Sequence, residues 1–301
     1  MPRHVLSVTL FAATVLGARA LGAQDARLAF RPAKPAPGGL VAITVAGADV
    51  PGDSLVAIHG TMAGEPLHFV ADKGGYRAIG AVPVDSTTSV TTIVVILDRA
   101  SGFCDTLRAS VEPPPLPPPS EKLAVAPRFG QPMDSALAAR VEAESERARA
   151  IGRRSHGVPR LWSAAFQKPR PSAVTSRFGT GRLFNGQVTS RHLGVDFRGA
   201  SGEPVLAANR GVVALVDTTY LGGRVVYVDH GEGIVTAYMH LSRALVSAGD
   251  TVARGQRVGF VGMTGRVTGP HLHWGARYGA LTINPLDLLD VAAPVPRPAP
   301  R

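Results

Sequence analysis

Short apolar runs separated by turn signals occupy the first third of the chain. The runs are Val41–Val45, Leu55–Ile58, Leu67–Val70, Tyr76–Gly80 and Thr91–Leu97. Between them lie segments such as PGD, AGEP and DKGG, and this alternation predicts β-strands joined by tight turns. The spacing predicts an immunoglobulin-like β-sandwich over residues 25–112. Because it carries no catalytic constellation, we interpret it as a binding, positioning or regulatory module.

Two proline-rich segments mark the ends of the predicted domains. PPPLPPPS at 113–120 predicts an extended, semi-rigid linker that keeps the domains on either side apart. AAPVPRPAPR at 292–301 has no apolar pattern, so we expect a disordered tail.

The segment after the linker predicts a helix. DSALAARVEAESERARAI is rich in Ala, Glu and Arg, and Asp134 or Ser135 can cap its first turn. Few of its residues are large and apolar, so we expect it to pack weakly, through Leu137, Val141 and the alanines. Linker and helix together fill residues 113–160.

From Ala173 to Leu289, β-strand signals dominate. VVALVD, RVVYVDH, IVTAYMHL and RVGFVG are apolar and rich in β-branched residues, and glycines separate them. They predict a second domain over 161–291, an antiparallel sheet whose loops form the walls of a cleft. Trp162 and Phe166 are expected to anchor the approach to this domain. The predicted fold class is therefore mainly β.

The N-terminus has the features of a secretory signal. A basic start, an apolar run from Val5 to Ala18 and an A-x-A pattern predict a signal peptide over residues 1–20, with cleavage after Ala23 as the alternative. The run is too short to predict a stable membrane span, although a retained N-terminal anchor stays open. We expect export to the periplasm or cell envelope, with secretion from the cell as the alternative.

The charge of the chain restricts its partners. The formal net charge is +10, which in an exported protein suits an anionic polymer such as the cell wall, or a membrane surface. Nucleic acid also attracts basic proteins, but the export signal argues against it. Cys104 is the only cysteine, so no intramolecular disulfide and no thiolate metal site can form.

Four histidines and one aspartate lie in three short segments of the second domain. The segments are HLGVDF (192–197), YMHL (238–241) and GPHLHW (269–274). Catalytic zinc takes three protein ligands and keeps one position for water. The H-E-x-x-H motif of many zinc proteases is absent. This set predicts a metal-dependent hydrolase in which three side chains hold zinc and two lie beside it.

The spacing of these residues limits where their side chains can point. His271 and His273 are two apart, so on a strand both rings enter one cavity, one as a ligand and one beside the metal. His192 and Asp196 are four apart, which is about 13 Å on a straight strand and too far to share an ion. We therefore infer a bend at Gly194 that lets them converge.

Other polar residues of this region are weaker candidates. His240, taken alone, is more simply explained as structural, and His230 beside a turn is predicted to be a structural hydrogen-bonding histidine. Tyr238 alternates with His240, and its hydroxyl would bind an oxyanion if it faced the site. Arg182 and Asn185 are candidates for the cleft wall, although Asn-Gly is more simply explained as a turn.

Six segments carry a family resemblance. They are SRFG (176–179), HLGVDF (192–197), GEPVLAANRGVV (202–213), VDHGEGIVTAYMHLS (228–242), GDTVARGQRVGFVGMTG (249–265) and TGPHLHW (268–274). Together they resemble the M23 zinc metallopeptidases, the lysostaphin-like or LytM-type peptidoglycan endopeptidases. H-x-G-x-D followed by a downstream H-x-H is a specific signal. One departure is Trp274-Gly275, where many members have Phe-Glu.

The resemblance implies a role for each of the five residues. His192, Asp196 and His273 would be the ligands of one zinc ion per chain. His240 and His271 would flank the water on the metal, as general base or as stabilisers of the tetrahedral intermediate. The implied fold is a LytM-like half-barrel. The implied activity is that of an exported zinc endopeptidase cutting peptide bonds in peptidoglycan cross-links or stem peptides.

A non-catalytic role is the alternative. A LytM-like scaffold would activate another cell-wall hydrolase, but such members typically lack ligand residues and this chain keeps all five. The sequence does not choose between a D-alanyl–diaminopimelyl bond and a glycine bridge, nor does it give an oligomeric state or a regulatory partner protein. The layout suggests that the β-domain or the helix covers the cleft until the wall is bound.

Overall fold

The computed structural model describes residues 26–84 and 90–290. The predicted signal peptide and C-terminal tail lie outside the described residues. The described part is almost entirely strands and loops, with one long helix, α1 (Ser135–Ser155). The predicted mainly β class is therefore confirmed. Within the described ranges, no helix is both long enough and apolar enough to cross a membrane.

The N-terminal region consists of two four-stranded antiparallel sheets. Its strands are β1 (Arg27–Arg31), β2 (Leu40–Ala46), β3 (Leu55–Met62), β4 (Glu65–Pro66), β5 (Val70–Asp72), β6 (Gly75–Ala81), β7 (Thr91–Arg99) and β8 (Cys104–Val111). The sheet orders are β1-β2-β6-β5 and β4-β3-β7-β8. Alternate side chains of both sheets, Ile43 and Ile93 among them, form one apolar core. The immunoglobulin-like assignment and the domain boundaries stay predictions.

One predicted strand of this region is wrong. Only Val70 of the run Leu67–Val70 begins a strand, and the three residues before it form a loop. Leu67 is nevertheless buried in the shared core. The apolar run thus predicted the burial of Leu67 correctly, but not the conformation of its backbone.

The C-terminal region is built on a ten-stranded antiparallel sheet. The remaining strands are β9 (Pro119–Leu123), β10 (Val174–Ser176), β11 (Gly181–Phe184), β12 (Val188–Arg191), β13 (Val195–Arg198), β14 (Pro204–Leu206), β15 (Gly211–Thr219), β16 (Gly223–Gly231), β17 (Ile234–Ala244), β18 (Thr251–Val252), β19 (Arg257–Val261), β20 (His271–Tyr278) and β21 (Leu281–Ile283). The main path is β10-β13-β20-β17-β16-β15-β18. Trp162 and Phe166 are buried in its apolar core.

The proline-rich linker does not keep the two regions apart, contrary to the prediction. Leu40 and Ala81 of the N-terminal sheets are buried in the core of the C-terminal region. The Leu40 amide donates to Asp287 Oδ2 at 2.9 Å. The end of the linker itself becomes β9, which pairs in parallel with β11. Both regions leave apolar surface uncovered, and burying it against each other outweighs the spacing effect of the prolines.

Helix α1 packs through its C-terminal half. Asp134 caps its start by accepting from the Leu137 amide at 2.8 Å, and the helix runs four residues beyond the predicted end. The buried positions are Ala148, Ile151, Gly152 and Ser155. Of the residues expected to pack, Leu137 and Val141 are only partly buried, whereas one of the alanines, Ala148, is fully buried. Small residues allow the helix backbone to approach the sheet closely instead.

We predict that Gly152→Ala destabilises the protein, because a β-carbon at this position would overlap the backbone carbonyl of Gly279. Neither backbone can move freely, so the loss should be about 2 kcal/mol of unfolding free energy, despite the better helix propensity of alanine. Urea denaturation measures it. Gly157→Ala is the matched control, since its β-carbon would meet Arg154 O at an ordinary 3.5 Å. Equal stability of the two variants would contradict the close packing of α1.

Candidate active site

A bend at Gly194 brings His192 and Asp196 together. The backbone bends there before β13 begins, and His192 Nε2 lies 3.0 Å from Asp196 Oδ1. Any side chain at position 194 would overlap the ring of His273, so the position requires glycine. The glycine at position 194 thus explains both the inferred bend and the close packing around it.

Strand pairing places His273 next to His192 and Asp196. Asp196 on β13 lies opposite His273 on β20 in the antiparallel register. His273 Nδ1 lies 2.9 Å from Asp196 Oδ1 and 3.0 Å from His192 Nε2. Ligand atoms around a tetrahedral zinc ion are about 3.3 Å apart, given bond lengths near 2.1 Å. The donor set and its spacing therefore fit zinc with little movement.

Neighbouring groups hold these three side chains in orientation. His192 Nδ1 donates to the carbonyl of Arg177 at 2.9 Å, which leaves Nε2 with its lone pair toward the cluster. Arg182 Nη2 donates to Asp196 Oδ2 at 2.6 Å, on the side away from the histidines. Such partners fix the tautomer and rotamer of metal ligands.

Burial and hydrogen bonding set the protonation of the cluster. Burial by itself would raise the pKa of Asp196, but the adjacent His192 and His273 outweigh it and hold that pKa well below its usual range. Burial lowers the pKa of His273 to about 4. At neutral pH the cluster thus combines an ionised carboxylate with a neutral imidazole, which are the forms that bind a metal ion.

His240 reaches the cleft because β17 contains a bulge. Arg224 and Val226 of β16 pair with Leu241 and Tyr238, so β17 has one extra residue here. His240 itself has a φ of +62°, a region that side-chain-bearing residues rarely occupy. Bulges re-aim side chains, and strained backbone of this kind is concentrated at functional sites.

His240 and His271 present the same nitrogen to the cleft. His240 Nδ1 donates to Thr264 O and His271 Nδ1 donates to Gly269 O, each at 2.8 Å. Because a carbonyl can only accept, each Nε2 is left unprotonated in the neutral ring. The ring centroids are 4.9 Å apart, and His271 Nε2 lies 3.7 Å from Asp196 Oδ1.

The pKa of His240 is strongly depressed. Burial contributes most, and the neighbouring rings of His271 and His273 add to it. The imidazole therefore stays neutral to well below pH 6.5 and can accept a proton near neutral pH.

Tyr238 does not face the cleft. Its hydroxyl accepts from the Ala208 amide at 2.7 Å and lies 3.0 Å from Thr236 Oγ1. Thr236 in turn contacts His230 Nε2 at 2.8 Å, in the core. The extra residue in β17 breaks the alternation that would have put Tyr238 and His240 on one face. An oxyanion role for the phenol is therefore wrong, and His230 lies in this buried hydrogen-bond chain.

The cleft walls contain residues that motif reasoning missed. A cavity of about 530 Å³ and a smaller one of about 300 Å³ meet at His240, and both are lined by Arg182 and Arg266. Glu121 of β9 lines the smaller cavity. Asn185 lies in the β11–β12 turn with a φ of +48°, as the turn interpretation requires. Arg266 lies between two family-like segments, 249–265 and 268–274, whereas no local signal marked Glu121.

Comparison with known proteins places the site in a family. Residues 190–285 match the family described as Peptidase family M23. Over 128 residues the chain is 39% identical to "Peptidoglycan DD-endopeptidase ShyA" of Vibrio cholerae, covering 41% of this chain and 29% of that protein. It is 41% identical over 105 residues to "DD-carboxypeptidase/endopeptidase Mpg" of Neisseria meningitidis, covering 35% and 24%. The chain thus spans less than a third of these relatives.

A solved structure extends the similarity beyond this region. A crystal structure described as a peptidase M23 from Pseudomonas aeruginosa matches with a TM-score of 0.60 and 26% sequence identity. The match covers 86% of this chain and 96% of that one, so it includes the N-terminal sheets as well as the site. The part of the chain that carries the five-residue site thus matches peptidase family M23.

Proposed function

We propose that this protein is a zinc-dependent endopeptidase that cleaves peptide bonds in peptidoglycan cross-links or stem peptides. One observation carries the proposal: three metal-binding atoms converge within 3.0 Å of one another, with two further imidazole rings beside them. The name of the Vibrio cholerae relative, a peptidoglycan DD-endopeptidase, supports the substrate class. The net charge of +10 suits an anionic polymer.

In this proposal His192, Asp196 and His273 hold one zinc ion per chain. A zinc ion held by such ligands lowers the pKa of a bound water and polarises a peptide carbonyl. His240 and His271 do the proton work. Their Nε2 atoms accept a proton from the attacking water and later supply one to the leaving amine. The carbonyls of Thr264 and Gly269 keep each ring in the required tautomer.

We further propose that the protein works in the cell envelope after export, in the periplasm or released from the cell. The relatives' substrate lies outside the cytoplasmic membrane, which supports this location. Nucleic acid is not proposed as a partner. A non-catalytic role as an activator of another hydrolase is the competing function, and it requires that the five side chains do no chemistry.

The direct test is digestion of purified peptidoglycan, with and without a chelator, with the released peptides identified by mass. We expect chelator-sensitive release. Release that a chelator leaves untouched would argue against the metal mechanism. No release by a folded, zinc-loaded protein would move the assignment toward a covered active site or the activator role.

Zinc should stabilise the protein through the three proposed ligands. At a free zinc concentration a hundredfold above Kd, the gain is about 2.7 kcal/mol, visible as a rise in melting temperature. His192→Ala should abolish this rise. His59→Ala is the control, because that ring is exposed and paired with Asp98, and it should keep the full response. A normal zinc response in His192→Ala would contradict the ligand assignment.

His271→Ala should separate chemistry from metal binding. We expect the variant to retain zinc, measured by elemental analysis, while kcat on peptidoglycan peptides falls about 10²- to 10⁴-fold, the typical contribution of a positioned proton-transfer group. His59→Ala again serves as the matched histidine control. Loss of zinc together with activity would instead assign His271 to the metal.

Coverage of the cleft should limit activity in the full chain. Glu144 and Ala148 of α1 line the larger cavity and Glu121 of β9 lines the smaller one. We therefore expect a fragment containing residues 160–291, which lacks both elements, to cleave peptidoglycan faster than the full chain. Circular dichroism checks that the fragment is folded. A folded fragment no more active than the full chain would exclude autoinhibition.

A further inference from the structure

Arg266 is a half-buried cation of the cleft wall that has no carboxylate partner in the described part of the chain. Among residues 26–84 and 90–290, no carboxylate oxygen lies within the 4.0 Å ion-pair distance of its guanidinium. One amino group is 3.4 Å from Ser190 Oγ, and the guanidinium carbon lies 4.2 Å from the centre of the Phe184 ring. Buried cations are normally paired with an anion. A half-buried arginine without such a partner therefore indicates a binding position for an anionic group of a ligand.

The aromatic ring and the nearby arginine prepare Arg266 for that anion. Stacking on Phe184 fixes the plane of the guanidinium. Because its N–H donors are already held in one orientation, the side chain loses little conformational entropy when it binds a carboxylate. Burial, and then the charge of Arg182, lower the pKa of Arg266 to about 10, so it remains charged at neutral pH. The repulsion between the two arginines would be relieved by a shared anion.

The cavity beside Arg266 reaches the proposed catalytic residues. The same 300 Å³ space is lined by Asp196, His240 and His271. Its charged lining consists of three arginines (Arg182, Arg198 and Arg266) against two carboxylates. A bound zinc ion would make the excess of positive charge larger. The site is thus electrostatically suited to a negatively charged group close to the scissile bond.

The neighbouring arginine, Arg182, already binds a carboxylate of the protein. Glu121 Oε2 accepts from Arg182 Nε at 2.9 Å, and Glu121 Oε1 accepts from Ser176 Oγ at 2.8 Å. Glu121 arrives from the linker, through the parallel pairing of β9 with β11. A carboxylate can therefore fit in this wall and find hydrogen-bond donors there.

We propose that Arg266 binds a free carboxylate of the substrate adjacent to the peptide bond that is cut, and so selects cross-links that carry one. This rests on the endopeptidase function proposed above. In a D-alanyl–diaminopimelyl cross-link, the nitrogen of the bond is attached to a carbon that also bears a free carboxylate. A glycine bridge has no carboxylate at its internal bonds. Arg266 therefore favours the diaminopimelyl type.

The test uses two cross-linked stem peptides that differ in one group. One has the carboxylate beside the D-alanyl–diaminopimelyl bond free, and the other has it as a primary amide. The zinc-loaded full chain should cleave the free form at least about tenfold more efficiently in kcat/KM, as expected for a charge-assisted hydrogen bond. Arg266→Met should reduce this preference to about one, chiefly by raising KM for the free form. Arg266→Lys should restore part of it.

Arg243→Met is the matched control. This exposed arginine also stacks on a phenylalanine, 5.1 Å from the ring centre of Phe260, but it lies outside both cleft cavities. It should keep the full preference. Equal cleavage of the two peptides by the unmodified chain, or an undiminished preference in folded Arg266→Met, would overturn the proposal. Melting temperatures establish that each variant is folded.

Equilibrium binding of both peptides separates this inference from the endopeptidase function. If the unmodified chain binds the free form more tightly, and Arg266→Met does not, the carboxylate site stands even when no bond is cut. The endopeptidase function alone would then fail. If the unmodified chain binds both forms equally or binds neither, the carboxylate site is refuted, whatever the result with peptidoglycan.

Discussion

The carboxylate of Asp196 is the group around which the site is organised. One of its oxygens lies within 3.0 Å of nitrogens of His192 and His273, and the other accepts from Arg182. A buried carboxylate is costly unless it is paired, and here every contact that compensates it also orients a neighbour. Gly194 permits this closeness, since any side chain there would overlap His273. Geometry, charge and backbone conformation are therefore not independent at this point of the fold.

The second half of the site depends on irregularity in an otherwise regular sheet. A regular β17 would place Tyr238 and His240 on the same face, whereas the bulge sends the tyrosine into the core and the histidine into the cleft. The strained φ of His240 persists because Gly222 O and Thr264 O hold its amide and its ring. The sheet holds the site rigid, and the bulge directs the side chain of His240 into the cleft.

The N-terminal part of the chain reaches the site through the linker. Strand β9 brings Glu121 to Arg182, and so to the arginine that orients Asp196. Helix α1 contacts the far wall, where Glu144 accepts from the Tyr220 amide. Movement of either element would therefore change the charge and the width of the cleft. Arg182 is already engaged by Glu121, whereas Arg266 has no carboxylate partner among the described residues. One wall thus has both a filled and an open anion position.

The sequence by itself determined the mainly β class, the start of the helix at Asp134 and the five residues of the candidate site. The first two follow from local periodicity and capping chemistry, which act within a few residues, and the third from a motif of three short segments between residues 192 and 274. Only the tertiary structure decided the bulge that separates Tyr238 from His240, the helix face that packs, and the contact between the two regions. It alone brought Glu121 to Arg182 and, within residues 26–84 and 90–290, left Arg266 without a carboxylate partner. Those features depend on which strands pair and which apolar surfaces meet. Such contacts join residues far apart in the sequence, so the spacing of neighbouring residues does not predict them.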